Sequence, residues 1–100
     1  MSLDPWLVAA VEGAPEQLRA RVEYWVSGAM AEKDLPARLG MAARAALHHS
    51  IAAGPGRAAA LDLLAADALV TLALQAQAAI DPAGLREFAR EIRGDSGSPQ

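Results

Sequence analysis

One hundred residues and 10.4 kDa allow one compact domain with one modest core, and two independent domains would each be marginal. Nine basic residues against twelve acidic ones give a net charge of −3, and no long basic run supplies the footprint on which non-specific nucleic-acid binding depends. With no cysteine there is no disulfide, thiolate metal site or cysteine nucleophile, and nothing marks an oxidising compartment.

The N-terminus lacks the basic and apolar regions of a signal peptide, so the expected location is the cytoplasm. Asp4-Pro5 offers an N-cap carboxylate followed by proline at the first helical position. Gly13 closes the run from Trp6 to Glu12, giving a lead helix of about two turns. Pro15-Glu16 restarts the chain, and Leu18, Val22, Trp25 and Ala29 recur at helical spacing, which predicts a second helix to about Lys33. Asp34 caps a third helix with Leu35, Leu39, Ala43, Ala46 and Leu47 on its apolar side, and Pro36 is tolerable because it lies in the first turn. Gly54-Pro55-Gly56 terminates it.

From Arg57 to Ile80 the polar side chains after Arg57 are Asp62, Asp67, Thr71, Gln75 and Gln77, a pattern read as scattered around the helix. A helix apolar nearly all round is a buried central helix. Its length would also permit a membrane span, but two aspartates and an alanine-rich filling make insertion poor, so no membrane is expected as a partner. Asp81-Pro82 repeats the opening device, and Leu85, Phe88, Ala89 and Ile92 then form an apolar stripe on an amphipathic surface helix. After Gly94 the polar remainder has nothing to bury and is expected to be a disordered tail over residues 95–100, leaving residues 1–94 as the single domain. No alternating run of β-branched or aromatic residues predicts a strand. The expectation is an all-α, alanine-rich bundle of four to five helices around a buried central one.

Candidate chemistry is thin. His48 and His49 are neighbours about 100° apart on a helix and cannot chelate one ion as an i, i+4 pair would. One is expected to face solvent and the other to be half-buried near the helix C-terminus. Asp62 and Asp67 splay by about 140° and cannot act as paired carboxylates on one face. Asp67 is the more central, so it is expected to be buried and paired with Arg21, Arg44 or Arg90 from another helix. Trp25 beside Tyr24 reads as a core anchor. A catalytic reading would have to draw on Asp67, His48, His49 and Glu23, with no spacing that assembles them. No catalytic residue, metal or cofactor is assigned.

The order Leu18-Arg19, Val22, Tyr24, then Ala31-Glu32-Lys33-Asp34-Leu35-Pro36 and an alanine-rich apolar helix resembles the N-terminal part of the trans-polyprenyl diphosphate synthases. In that family a Gly-Gly-Lys-Arg-x-Arg-Pro segment holds the pyrophosphate of the homoallylic substrate. Here Lys33 matches a basic residue of it, Asp34 replaces the arginine, and Pro36-Ala37 stands in place of Arg-Pro. Ala58-Ala59-Ala60-Leu61-Asp62-Leu63-Leu64 is similar to the helix that leads into the family's His-x-x-Ser-Leu-Ile-His-Asp-Asp. That register puts Leu69-Val70 on Leu-Ile, Thr71 on the histidine, and Leu72-Ala73 on the magnesium-binding aspartates. A second register sets residues 64–73 on the later Leu-Ala-Gly-Asp-Ala-Leu-Leu helix. The resemblance implies a truncated relative without the metal site, the small regulatory partner of a larger prenyl synthase.

Three functions follow from these readings. The first is a non-catalytic interaction or oligomerisation module whose alanine-rich faces pair with another copy or another protein. The second is a binding protein for an apolar, isoprenoid-like small molecule, in a groove around Leu69 and Leu72 with Asp67 and Trp25 beside it. The third is an enzyme, ranked last.

Overall fold

The computed structural model describes residues 4–32 and 34–94. Among them the chain forms five α-helices and one 3-10 turn, with no strand. The first helix, α1 (Pro5–Val11), starts as the sequence dictates: the Asp4 carboxylate accepts the Trp6 amide at 2.8 Å and proline occupies the first turn. A second acidic cap opens α3 (Leu35–Ala53), where Asp34 accepts the Ala37 amide at 2.9 Å.

Two boundaries differ from the sequence reading. The second helix, α2 (Glu16–Ser27), stops at Gly28 and does not reach Lys33, which lies outside the described residues. The Ser27 hydroxyl donates to the Glu23 carbonyl, and the following glycine lowers the helix propensity further, so the chain turns while Ala29 is still buried. At the other junction Asp81 does not cap a helix with its side chain. Its carbonyl instead accepts the Gly84 amide at 3.1 Å in a 3-10 turn, Pro82–Gly84, and α5 (Leu85–Arg93) begins after it. The expected tail over residues 95–100 lies outside the described residues.

The centre of the fold is the antiparallel pair α3 and α4 (Arg57–Ile80), joined by residues 54–56. Gly40, Ala42, Ala43 and Ala46 on α3 and Ala65, Ala66, Ala73 and Ala76 on α4 are buried, and such small side chains let two helices approach at the short end of the usual 8–10 Å range. The large side chains that fill the remaining space, Leu7, Val22, Leu39 and Leu69, come one from each of α1 to α4. Helix α2 lies across the pair, while α1 and α5 lie at the end remote from the 54–56 turn. There Val11 shares a cleft with Leu18 and Leu72, and Ile92 and Phe88 of α5 sit over Gly40. A Cβ at Gly40 would stand 3.3 Å from Ile92 Cγ1, so the missing side chain is what lets α5 lie close to α3. As expected, α5 is a surface helix: Leu85, Phe88, Ala89 and Ile92 are half-buried and none of its residues is fully buried.

Helix α4 is not buried all round. It is long and apolar enough by length and composition to cross a bilayer, with a mean hydropathy of 1.6 over its most apolar window, yet 33% of that window is buried. Ala60, Leu64, Asp67, Thr71, Gln75 and Ala78 form a continuous exposed stripe at i, i+4, i+7, i+11, i+15 and i+18. Three of the polar residues that looked scattered therefore share one outward face, spaced by fours.

The turn between α3 and α4 depends on backbone that other residues avoid. Gly54 has φ 76° and ψ −167°, and Gly56 has φ 151° and ψ 170°, in a region populated almost solely by glycine. Gly54→Ala is expected to lower stability by about 1–3 kcal/mol, read as a fall in the urea midpoint with an unchanged slope.

Candidate functional site

The charged residue that α4 buries is Asp62. Its side chain is 1% exposed, and its carboxylate meets two hydrogen-bond partners and one ion-pair partner from two other helices. Oδ1 accepts from Trp25 Nε1 at 3.1 Å and forms an ion pair with Arg21 Nε at 3.1 Å, both on α2. Oδ2 faces His49 Nδ1 of α3 at 2.8 Å. A carboxylate acceptor there requires the proton on Nδ1, so His49 donates.

Local structure explains the convergence. Arg21 and Trp25 are four apart on α2 and share one face. Asp62 lies on the α4 stripe that also carries Ala66, Leu69 and Ala73, three, four and seven residues being the separations that keep one helix face. His49 enters from the last turn of α3 with its side chain 58% exposed and its ring 5.4 Å from Trp25. Tyr24 meets Trp25 edge-on at 5.0 Å, and the Arg21 guanidinium carbon stands 5.8 Å from the Tyr24 ring centre. Among the described residues no buried side-chain nitrogen or oxygen lacks a partner.

These contacts correct the sequence reading of Asp67. It is exposed, and its carbonyl accepts the Thr71 hydroxyl at 3.2 Å along the outward stripe of α4. Of the three arginines named for it, Arg21 does pair with a buried aspartate, but with Asp62. Arg90 stands 3.6 Å from Glu87 on the surface of α5, and Arg44 lines a cleft between α3 and α5. Nor do the four ligand-binding candidates converge. Leu69 is fully buried in the core, Leu72 borders a cleft of about 320 Å³ against α1 and α2, Trp25 belongs to the Asp62 cluster, and Asp67 faces the opposite side of α4 from Leu69. Both histidines are exposed overall; His49 is the one tied to the core.

Chemically, an imidazole oriented by a buried carboxylate is half of a general-base arrangement. The second half is missing among the described contacts. The Ser50 hydroxyl, next in sequence, donates to the Ala59 carbonyl at 2.8 Å, and among the described residues no group of three His, Cys, Asp or Glu side chains is placed to hold a metal ion. The arrangement that the contacts do form is a polar staple across α2, α3 and α4. Comparison with protein-family models, with curated proteins and with solved structures found no match.

Asp62→Ala is expected to destabilise by about 2–4 kcal/mol, since it removes one salt bridge and two further hydrogen bonds to a desolvated carboxylate, while Arg21 and His49 keep some access to water. Asp67→Ala should change stability by no more than about 0.5 kcal/mol. Urea unfolding of the two variants beside the wild type measures both. Leu69→Ala should cost about 2–5 kcal/mol as a core truncation, with no dependence on added ligand.

Proposed function

We propose that the chain is a non-catalytic helical interaction module that pairs through the outer face of the α3–α4 hairpin, most simply with a second copy of itself. The observation that carries this reading is the exposure of large apolar side chains at the turn end of the hairpin. Leu47, Ile51 and Leu63 are 40%, 70% and 52% exposed. By helical spacing Leu47 and Ile51 extend the α3 face that holds Gly40, where Phe88 and Ile92 are seated. Helix α5 ends at Arg93, so the apolar face continues beyond its cover.

Burying such residues against a partner recovers roughly 25 cal/mol per Å² of apolar surface, which three large side chains turn into a substantial part of a binding free energy. A two-fold axis would place the same face on both partners, so one exposed patch suffices for a closed dimer. Alanine at neighbouring positions, including the exposed Ala52 and Ala60, keeps helix backbones free to approach.

Sedimentation equilibrium across a micromolar concentration series tests the reading. The expected result is a mass that rises toward twice 10.4 kDa, and Ile51→Glu returns it to 10.4 kDa with the far-ultraviolet helical spectrum unchanged. A concentration-independent monomer mass for the wild type would overturn self-association.

A further inference from the structure

We propose that the groove between α2 and the first two turns of α4 binds a small amphiphile with a single negative charge, a long-chain carboxylate. This site lies on the other side of α4 from Leu63 and does not depend on the pairing face. The groove has a volume of about 690 Å³, inside the range of roughly 300–1,000 Å³ common for small-molecule sites. Ala20, Tyr24, Ala58, Leu61 and Leu64 give it an apolar lining, and Tyr24 and Leu64 are 61% and 58% exposed.

Two guanidinium groups, Arg21 and Arg57, border this apolar surface. Arg21 is not a loose surface cation. Its Nε is held at 3.1 Å by a carboxylate that is 1% exposed, and Trp25 and His49 in turn fix that carboxylate. The ion pair keeps the guanidinium at the edge of the groove, where the Arg21 side chain is 31% exposed. A guanidinium is the side-chain group best suited to receive a carboxylate, through two parallel N–H bonds. Arg57 is exposed and has no acidic partner among the described residues.

The charge balance selects the head group. Asp62 already neutralises Arg21, so the groove carries about one uncompensated positive charge, from Arg57, in a chain whose net charge is −3. A monoanion matches it, whereas a multiply charged head would be left partly uncompensated and repelled by the rest of the molecule. The apolar tail lies along Leu61, Leu64 and the Tyr24 ring.

The test titrates dodecanoate, below its micellar concentration, into the Trp6→Phe variant. Trp25 is then the sole tryptophan and reports directly from the Asp62 cluster. Dodecanol and vesicles of phosphatidylglycerol are run as parallel arms. Saturable binding of dodecanoate is expected, with dodecanol weaker by about tenfold or more and Arg57→Ala weakening dodecanoate by a similar factor. Leu64→Gln should weaken dodecanoate and dodecanol alike.

Equal affinity for the alcohol, indifference to Arg57→Ala, or binding to vesicles without binding of the monomeric carboxylate would each overturn the proposal. Repeating the titration on Ile51→Glu separates the two readings. Binding retained by a monomeric variant supports this site whatever the fate of the pairing face, and binding lost with Ile51 assigns the signal to that face and overturns the groove.

Discussion

A charged oxygen pair inside a 100-residue core is the constraint to which the three central helices are set. Removing a carboxylate from water costs several kcal/mol even after relaxation, and only correctly placed donors offset it. For Asp62 those donors come from α2 and α3, so the register of both helices against α4 is fixed by one side chain. Sliding either helix by one turn, about 5.4 Å, would strip the carboxylate of at least one partner. Apolar packing alone discriminates weakly here, because an alanine surface looks much the same one turn further along. The staple contributes specificity more than net stability.

That division of labour suits the composition. Twenty-five alanines give strong helix propensity and little side-chain entropy to lose, which stabilises the individual helices. They bury little area each, so the core rests on a few large side chains, chiefly Leu7, Val22, Leu39 and Leu69. Close backbone approach between α3 and α4 makes up part of the difference through many weak dispersion contacts. Gly40 extends the same logic to α5, whose Ile92 fits over a position without a side chain.

The helices and most of their ends were legible because caps and breakers act locally. Asp4, Asp34 and residues 54–56 each do in the structure what their chemistry predicts in isolation. The end of α2 was not legible, because the stripe of Leu18, Val22, Trp25 and Ala29 continues past Ser27 while the backbone does not. The site was half legible. The 140° separation of Asp62 and Asp67 already kept the two off one face. Choosing between them needed the spacing of the remaining polar residues: Asp67, Thr71 and Gln75 follow one another by fours and mark the wet face, whereas Asp62 shares its stripe with Leu69. Centrality along the helix, the criterion that favoured Asp67, says nothing about direction around it. The partner His49 had no local signal, since its contact with Asp62 spans two helices and a turn.

The two ends of the bundle differ in which helices cover the α3–α4 pair. At the end remote from the 54–56 turn, α1 and α5 lie over the core, and Trp6, Val8, Met41 and Ile80 remain 37%, 50%, 45% and 66% exposed there. At the turn end α3 and α4 run on past that cover with only α2 beside them, leaving Leu47, Ile51 and Leu63 on one side of α4 and Leu64 with Tyr24 on the other. The turn end also holds the staple, whose ion pair brings Arg21 to the edge of the groove. Exposed apolar side chains on helices whose register is already fixed are what a recognition surface needs in order to avoid the entropy of ordering itself on binding.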